Sequence, residues 1–404
     1  MTDSRIFIED YDYVLPEEKI AFFPKEKRDE SRLLIYKNGQ IQTDIFKNIA
    51  DYLPENAVLI FNNTKVVQAR IVAFKASGAR IEIFCLEPLY PHTDRTLAFQ
   101  QTGSCVWKCM VGNAKKWKEK LHLNLKHDDT EIKLTIENQD NLADGYAVRF
   151  SWEPASLPFL EILDKLGKIP LPPYIRREVE DTDAERYQTV YAEVEGSVAA
   201  PTAGLHFTDE VFEHLKAKNI LCDHITLHVG AGTFKPVQTP TLQEHVMHKE
   251  QIVLTPAWIE NMLSYRDKHI VAVGTTTVRT LESIYGFGLK LLLKKKDPFF
   301  LHQWEIYDLI QEIQVSKEEA LEAVLKEMTQ NRCHRVLAHT ELMITEAYQT
   351  RMARSLITNF HQPKSTLLVL LSSFVQDQWK TMYDYALNHD FRFLSYGDSC
   401  LILR

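Results

Sequence analysis

The sequence reads AAPTAGLHF at residues 199–207 and LHVGAGTF at residues 227–234, so two turns rich in small residues each carry a histidine. Thr208 follows the first turn and can cap a helix that ends near Asn219, because its hydroxyl can accept a hydrogen bond from a first-turn N–H group. From Leu221 the apolar residues recur at every second position, a spacing that predicts a β-strand. The two turns therefore enclose a predicted helix–strand unit of an α/β fold.

Small residues at these turns allow the backbone to approach a ligand. Gly204 lies in the first turn, and Gly230 and Gly232 lie in the second, where no Cβ atom obstructs such an approach. His206 and His228 would then flank one active site and supply proton-transfer chemistry. The alternative is that the glycines only form turns and that both histidines are hydrogen-bonded core residues. The sequence leaves both interpretations open.

Polar amides follow two further predicted strands. Asn62 and Asn63 come directly after an apolar run at residues 57–61, and Asn359 and His361 follow a later run. Such side chains can hold the polar groups of a substrate, but they are also ordinary turn formers. We predict them as substrate-binding residues and note that a turn alone would explain Asn62 and Asn63.

An anion site is predicted where a buried strand at residues 269–273 runs into GTTTVR at residues 274–279. Thr275 and Thr276 would begin a helix, whose first N–H groups are free and attract negative charge. Arg279 lies one turn further on and could add a two-pronged contact to a carboxylate. A simple helix cap with a surface arginine is the competing interpretation.

Three more residues near chain turns are candidates for the same site. Tyr174 ends a proline-rich, necessarily extended run at residues 169–175, and Thr202 lies in the first histidine turn. Asp398 follows a predicted strand at residues 391–394 and would present its carboxylate for proton transfer.

The chain divides by pattern into a discontinuous α/β catalytic domain and an insertion. Residues 1–70 and 151–404 carry the α/β pattern, with an elaboration at about residues 286–345. Residues 71–150 alternate in hydrophobicity over short segments with little helical signal, which predicts an inserted small antiparallel β-barrel. After the elaboration, Ser365 is expected to cap one long helix through Leu387.

The predicted barrel carries the clearest positive cluster of the chain. Lys108, Lys115, Lys116 and Lys118 are interleaved with Trp117. Lysines can contact phosphates, and an aromatic ring can stack on a base, so we predict an RNA-binding surface. A solvated lysine face without a ligand is the simpler alternative.

Composition limits the class of protein. With 404 residues, 45% hydrophobic and 25% charged, the chain resembles an ordinary globular protein. The net charge of −8 argues against a general nucleic-acid coat. Neither an export signal nor a membrane-spanning run is visible, so we expect a cytoplasmic protein without membrane contact. His245 and His248 are three residues apart but lack a recognisable third ligand, and no metal is expected.

Several of these motifs together resemble one family, the S-adenosylmethionine:tRNA ribosyltransferase-isomerases of queuosine biosynthesis. The resemblance covers most of the chain in order, over residues 15–16, 31–34, 61–64, 171–175, 199–207, 228–234, 245–248, 274–283, 358–367 and 396–398. It implies a discontinuous α/β domain with an inserted β-barrel. S-adenosyl-L-methionine would be the ribosyl donor and tRNA the partner, while the resemblance leaves open whether the chain is a monomer or a homodimer.

The resemblance also implies a reaction. The ribosyl part of S-adenosylmethionine is transferred to 7-aminomethyl-7-deazaguanine in tRNA and isomerised, which gives epoxyqueuosine and releases adenine and methionine. His206, His228 and Asp398 have suitable chemistry for the proton steps, and residues 275–277 with Arg279 suit the methionine carboxylate. These roles are hypotheses from residue type and turn position.

Departures from the family pattern keep other acceptors open. Gln68 and Gln362 replace a typical proline and leucine, residues 111–116 lack an Arg-Pro-x-Lys motif, and residues 286–345 fall in a region longer than usual. One alternative is a paralogue that uses S-adenosylmethionine on another RNA or on a small amine. Another is a non-catalytic RNA-binding relative.

Overall fold

The computed structural model describes residues 5–127, 130–230, 232 and 236–404. Its strands are β1 (Arg32–Lys37), β2 (Gln40–Ile45), β3 (Ala57–Asn62), β4 (Thr64–Val66), β5 (Arg70–Phe74), β6 (Arg80–Tyr90), β7 (Ser104–Gly112), β8 (Leu121–His127), β9 (Thr130–Leu142), β10 (Gly145–Glu153), β11 (Gly167–Lys168), β12 (Val194–Ser197), β13 (Leu221–His228), β14 (Glu250–Leu254), β15 (His269–Val273), β16 (Phe300–Leu301), β17 (Val336–Thr340), β18 (Ser355–Asn359) and β19 (Ser399–Leu403). Its helices are α1 (Arg95–Gln100), α2 (Phe159–Leu166), α3 (Asp183–Arg186), α4 (Asp209–Ala217), α5 (Pro256–Ser264), α6 (Thr275–Leu292), α7 (Glu305–Glu312), α8 (Lys317–Gln330), α9 (Thr366–Val375) and α10 (Gln378–Asn388).

The larger sheet has ten strands in the order β16-β17-β14-β13-β3-β15-β18-β19-β1-β2. Its central strands β13, β3, β15 and β18 are parallel, so their carboxyl ends meet at one edge. Ligands of open α/β sheets bind in the crevice outside such carboxyl ends. This edge is therefore where the fold predicts a site.

Both faces of the central strands are buried. In β3, Val58 and Ile60 pack into one hydrophobic cluster, while Leu59 and Phe61 pack into another on the opposite face. Because side chains alternate across a strand, a continuous apolar run fits a strand that is covered on both sides. This explains why β3 reads as uninterrupted hydrophobic sequence.

The helix–strand unit predicted between the two histidine turns is present. The hydroxyl of Thr208 accepts a hydrogen bond from the N–H of Val211 at the start of α4. In β13, Ile225 and Leu227 pack on one face, as the period of two predicts. The α/β fold class is thus confirmed.

A second sheet has seven strands in the order β11-β5-β6-β7-β10-β9-β8, and every pairing within it is antiparallel. The predicted short antiparallel strands of this region are therefore present, and β9 is longer than its sequence pattern indicated. Among the described residues, no hydrogen-bonded pairing between the terminal strands β11 and β8 closes the sheet.

The region at about residues 286–345 is built into the larger sheet. Helix α6 continues through it to Leu292, and β16 and β17 extend the sheet at one end. Helix α8 begins with a capping box, in which Ser316 and Glu319 exchange hydrogen bonds. Its backbone crosses α6 so closely that a Cβ atom on Gly288 would lie 2.3 Å from the carbonyl oxygen of Ala320.

Two predictions for the last fifty residues are wrong. The helix capped by Ser365 ends at Val375, because Gln376 has a φ of 53° and interrupts it before α10 begins. Residues 391–394 form no strand; instead β19 follows them and pairs with both β1 and β18. None of the described helices combines the length and apolar character needed to cross a lipid bilayer.

Candidate functional site

An open cavity lies at the carboxyl ends of the central parallel strands. Its empty volume, which includes its opening to solvent, is about 660 Å³. Most of the residues that line it follow β13, β15 and β18 or come from the first histidine turn, and the full lining is Tyr174, Ala200, Pro201, Thr202, Ala203, Val229, Gly274, Thr275, Thr276, Thr358, Asn359, Phe360, His361, Gln362, Ser365, Leu367, Leu394 and Ser395. We call it the central cavity.

Six of the predicted substrate-binding residues are together in this cavity, and they are Tyr174, Thr202, Thr275, Thr276, Asn359 and His361. They come from four separate stretches of the chain, which meet because the parallel strands end at one edge. The cavity therefore unites the turns on which the sequence analysis placed the site.

The start of α6 supplies the positive end of a long helix. Gly274 precedes it with a φ of +94°, a conformation that residues with a Cβ rarely adopt. The hydroxyl of Thr277 donates a hydrogen bond to the carbonyl of Val273 at 2.7 Å, whereas Thr275 and Thr276 line the cavity. Helix N-termini attract carboxylates and phosphates through their free N–H groups.

Asn359 presents an unused acceptor to the cavity. Its side-chain nitrogen donates to the carbonyl of Leu394 at 3.0 Å, which fixes the orientation of the amide. Its Oδ1 atom is buried and has no hydrogen-bond partner among the described residues. A buried acceptor without a partner is costly, so a ligand that donates to it would gain binding energy.

His361 and Tyr174 complete the polar wall. Nε2 of His361 lies 3.0 Å from the hydroxyl of Thr358, and burial lowers the pKa of His361 to about 3, so the ring is neutral near pH 7. The hydroxyl of Tyr174 lies 2.5 Å from that of Ser395, and burial raises its pKa to about 12. These groups offer neutral hydrogen bonds and no charge.

His206 lies beside the cavity, at its border with a smaller pocket. Its Nδ1 atom lies 2.7 Å from the hydroxyl of Ser31, and its ring packs on Phe46 at 5.0 Å. Burial lowers the pKa of His206 to about 4, a shift that the nearby amide of Asn359 opposes. Nε2 has no partner among the described residues, so a neutral ring with Nδ1–H bonded to Ser31 would have a free lone pair.

His228 lies apart from the central cavity. Its imidazole packs on Gly196, and its Nδ1 atom lies 3.4 Å from the hydroxyl of Thr64. Burial, followed by the nearby Arg95, lowers its pKa to about 3. These contacts resemble those of a core histidine.

Asp398 is held by the backbone. Its two carboxylate oxygens accept hydrogen bonds from the N–H groups of Arg32 at 2.9 Å and Arg392 at 2.7 Å. Burial raises its pKa, although these two bonds act in the opposite direction. The carboxylate does not line the central cavity, and its contacts connect β1 to the turn before β19.

The side chains of Asn62 and Asn63 form hydrogen bonds within the protein. The amide of Asn62 bonds to both the N–H and the carbonyl of Leu227, at 3.2 and 2.9 Å. Asn63 accepts from the hydroxyl of Thr226 at 2.7 Å. Neither residue lines the central cavity, so their contacts agree with the turn-forming alternative.

Arg279 faces a smaller neighbouring cavity, which shares Thr275 and Thr276 with the central one. Its guanidinium lies 3.1 Å from the carboxylate of Glu250 and donates to the carbonyl of His248 at 2.9 Å. The arginine is therefore already paired within the protein, and only part of its fork is available to a substrate carboxylate.

Glu250 is a central residue that sequence analysis did not identify. It is fully buried at the start of β14, where it contacts Arg279, Nε2 of His248 at 3.2 Å and the N–H of Gly230 at 3.2 Å. Burial alone would raise its pKa, but Arg279 and His248 lower it to about 2. A glutamate at the head of an apolar strand was the available signal.

His245 and His248 do not form a helical pair, because residues 245–248 have no helical structure. His248 is instead engaged by Glu250. Within the described ranges, no three histidine, cysteine, aspartate or glutamate side chains are grouped so that they could hold a metal ion.

The three glycines differ in how much space they have. A Cβ atom on Gly232 would lie 2.5 Å from the ring of His248, whereas one on Gly230 would meet nothing closer than 3.7 Å. At Gly204 it would lie 1.8 Å from the hydroxyl of Tyr191. Ala231, Thr233 and Phe234 of the same turn lie outside the described residues.

Replacement of Gly204 by alanine is therefore expected to lower the free energy of unfolding by about 1–3 kcal/mol, because overpacking displaces the partly buried ring of Tyr191. Urea denaturation followed by tryptophan fluorescence measures this change. Gly230→Ala is the matched control, with an expected change below about 0.5 kcal/mol. Equal losses in the two variants would contradict the steric explanation.

The lysine cluster lies on the antiparallel sheet, where a wide groove contains Lys115, Trp117 and Lys118. Lys108 is paired with Asp144 at 2.6 Å. Trp117 is only 4% exposed and packs in the hydrophobic core of this sheet, which does not suit the predicted stacking on a base. The side chain of Lys116 lies outside what the structure describes.

Several known proteins are similar to the chain over nearly its whole length. A family profile described as "Queuosine biosynthesis protein" matches residues 8–402. Proteins named S-adenosylmethionine:tRNA ribosyltransferase-isomerase from Fusobacterium nucleatum and Sulfurihydrogenibium sp. are 36% and 34% identical to the chain. The first alignment covers 98% of this chain and 97% of the relative, and the second covers 98% and 99%.

A solved structure is also similar. The crystal structure of S-adenosylmethionine tRNA ribosyltransferase from Thermotoga maritima is 26% identical, and the match covers 98% of this chain and 100% of that one with a TM-score of 0.46.

Proposed function

The chain belongs to the queuosine biosynthesis protein family, and from this membership we propose that it is an S-adenosylmethionine:tRNA ribosyltransferase-isomerase. It transfers the ribosyl moiety of S-adenosylmethionine to 7-aminomethyl-7-deazaguanine in tRNA and isomerises it. The products are epoxyqueuosine-tRNA, adenine and methionine. The full-length coverage of the matching relatives favours this function over another acceptor or a non-catalytic role.

The central cavity is the proposed binding site for S-adenosylmethionine. The observation that carries this assignment is the start of α6, where Thr275 and Thr276 line the central cavity. The methionine carboxylate would accept from these N–H groups, while the methionine ammonium or a ribose hydroxyl would donate to Oδ1 of Asn359. Thr202, Tyr174 and His361 would hold the remaining polar groups.

His206 is the proposed base. Removal of the acidic proton beside the sulfonium needs a neutral acceptor within reach of the substrate. The low pKa and free Nε2 of His206 meet that requirement, and the ring is adjacent to Asn359. His228 and Asp398 are weaker candidates for the proton steps. The ring of His228 packs on Gly196, and both oxygens of Asp398 accept hydrogen bonds from backbone N–H groups.

The remaining substrate-binding candidates would act indirectly. Arg279 would add positive potential behind the carboxylate, and Asn62 and Asn63 would hold the strand ends that shape the site. Gly204, Gly230 and Gly232 would keep the loops close to the substrate.

The antiparallel sheet is proposed as an inserted barrel domain at residues 71–150, between two segments of a catalytic domain at residues 1–70 and 151–404. Its exposed lysines, Lys115 and Lys118, would contact the phosphates of tRNA. We further propose cytoplasmic action, which fits a tRNA substrate, with S-adenosylmethionine as a substrate and no metal in the reaction.

Release of adenine tests the function. The protein is incubated with S-adenosylmethionine and with tRNA that carries 7-aminomethyl-7-deazaguanine, unmodified guanine or no modification site. We expect adenine, detected by mass spectrometry, only with the first tRNA, together with epoxyqueuosine after nucleoside digestion. Adenine release with a different RNA or a small amine alone would instead assign another acceptor.

The pH dependence of the same reaction tests the state of His206. Because a protonated base is inactive and the pKa of His206 in the free protein is about 4, the acid limb of the kcat/KM profile is expected to fall near pH 4 and not near pH 6.5. Rates measured from about pH 8 downwards, with circular dichroism to confirm folding at each pH, check this. Half-loss of activity near pH 6.5 in folded protein would exclude His206 as the neutral base.

A further inference from the structure

A second, smaller pocket adjoins the central cavity, and the two share Ser395. Its empty volume is about 290 Å³. Residues from three distant parts of the sequence line it, and they are Pro24, Lys25, Arg28, Ser31, Arg186, Leu205, His206, Arg392, Ser395, Tyr396 and Gly397. We call it the basic pocket, because four of these residues carry a permanent positive charge.

Main-chain carbonyls hold two of the four cations. Arg28 donates to the carbonyls of Gln188 and of Glu185, the latter at 2.8 Å. Arg186 donates to the carbonyls of Lys25 and Glu26. Both guanidinium groups are thereby fixed in place, which reduces the entropy that binding a ligand would cost.

The other two cations are held in the same manner. Arg392 donates to the carbonyls of Phe23 at 3.2 Å and Tyr396 at 3.1 Å, and Lys25 donates to that of Glu30 at 2.9 Å. Carbonyl oxygens satisfy hydrogen bonds but do not cancel a charge. In addition, the Nε atoms of Arg186 and Arg392 have no acceptor in the described part of the chain.

No carboxylate forms an ion pair with this cluster. Within the described ranges, none of the four cations lies within 4.0 Å of a carboxylate oxygen, although the protein as a whole has a net charge of −8. The carboxylate of Asp398, which is bonded to two backbone N–H groups, offsets part of the positive charge, because Arg392 and Lys25 act to lower its pKa. Asp183 is bound by Arg177 and by the hydroxyl of Tyr396.

The mutual repulsion of these cations lowers the pKa of two groups. Burial and, after it, the neighbouring Arg186 lower the pKa of Arg28. Arg392 and Arg28 also contribute to the low pKa of His206, after burial. A phosphate anion in the basic pocket would relieve part of this repulsion, and arginines favour phosphate for its geometry and charge.

We propose that the basic pocket binds a backbone phosphate of the acceptor RNA, next to the nucleotide that receives the ribosyl group. The four cationic side chains that line the pocket would contact the phosphate oxygens. Its shared wall with the central cavity puts that phosphate close to the reacting base. This inference rests on the proposed function, because it takes the acceptor to be RNA.

Lys25→Gln tests the assignment, with Lys27→Gln as its matched control. Both changes remove one lysine charge two residues apart, but Lys27 is outside the pocket, largely exposed and 3.8 Å from Glu30. An anticodon stem-loop RNA is titrated at several salt concentrations. For Lys25→Gln we expect a Kd roughly 3- to 10-fold higher at low salt and a salt slope reduced by about 0.7 to 1. Lys27→Gln should match the wild type, and Lys25→Arg should restore binding.

Neutral phosphate analogues locate the contact on the RNA. Stem-loops with one methylphosphonate at successive positions around the wobble nucleotide are bound to wild type and to Lys25→Gln. At one position the neutral linkage is expected to weaken binding to the wild type and to leave binding to Lys25→Gln unchanged, because the same contact is already absent. No such position, or equal effects of Lys25→Gln and Lys27→Gln, would overturn the proposal.

Free phosphate is the other source of the same chemistry. If inorganic phosphate stabilises the wild type against heat but RNA affinity is insensitive to Lys25→Gln, the pocket is a free-anion site and the RNA assignment is wrong. The RNA-binding measurements need no turnover. An enzyme that releases no adenine would therefore refute the proposed function without deciding the outcome for the basic pocket, which the Kd values decide separately.

Discussion

Adenine release is expected to slow by about 10²- to 10⁴-fold when His206 is replaced by alanine, the usual loss when a general base is removed. The physical reason is that, in the proposed mechanism, Nε2 of neutral His206 accepts the proton beside the cavity while the contact of Nδ1 with Ser31 orients the ring. Single-turnover adenine release, followed by mass spectrometry, measures the chemical step directly. Binding of S-adenosylmethionine should change far less than the rate, because the base acts mainly in the transition state.

His269→Ala is a closely matched control. His269 is also buried, and its Nε2 atom lies 2.7 Å from the hydroxyl of Ser355, but it is at the opposite end of β15 from the cavity. This variant should retain adenine release within about twofold once folded protein is quantified. If His206→Ala and His269→Ala lose the same activity, then the loss reflects folding and His206 is not the base.

Replacement of Glu250 by alanine is expected to lower the free energy of unfolding by about 3–5 kcal/mol, because it leaves the buried guanidinium of Arg279 without its carboxylate. The same change removes the acceptor for His248 and for the N–H of Gly230. Chemical denaturation measures the loss. The exposed Glu260 on α5 provides the control, since Glu260→Ala should change stability by less than about 0.5 kcal/mol.

The contribution of Glu250 should also depend on pH. Its pKa is about 2 in the folded protein and about 4.5 when free, so the folded state binds fewer protons between these values. The stabilisation is therefore complete above about pH 4.5 and is lost as the pH falls towards 2. Wild type should lose stability in this range faster than Glu250→Gln. Parallel curves for the two proteins would show that Glu250 is not held as a charged group.

The sequence pattern predicts the fold well where local signals and burial agree. The run at β3, the alternation in β13 and the hydroxyl cap of α4 are all found as expected. Each of these signals depends on neighbours within a few residues. Propensity and periodicity are most informative under that condition.

The wrong predictions concern elements whose structure depends on contacts between residues that are distant in the sequence. Gln376 adopts a left-handed conformation between two segments that each have helical sequence, and no glycine or proline announces the break. β19 owes its existence to pairing with β1 and β18, which are far away in sequence. Local periodicity carries no information about such pairing.

In the candidate site too, residues with a local sequence signal were predictable, and residues joined by long-range contacts were not. Residues that follow strand ends, such as Thr275 and Asn359, were predictable because parallel strands share a carboxyl edge. The pairing of Glu250 with Arg279, and the meeting of Lys25, Arg186 and Arg392, join residues more than twenty positions apart and left no local pattern. Sequence reasoning also overvalued Trp117, because a buried and an exposed tryptophan look alike in a sequence.

The close packing of α6 against α8 at Gly288 means that residues 286–345 cannot be removed without disturbing the rest of the fold. Excising residues 286–345 would remove the last 7 of the 18 residues of helix α6, whose first turn lines the cavity, and would remove two strands from the sheet. The exposed backbone of β14 would then be free to recruit other chains. A variant that lacks residues 286–345 is therefore expected to aggregate, because this segment covers an edge of the sheet and stabilises the fold.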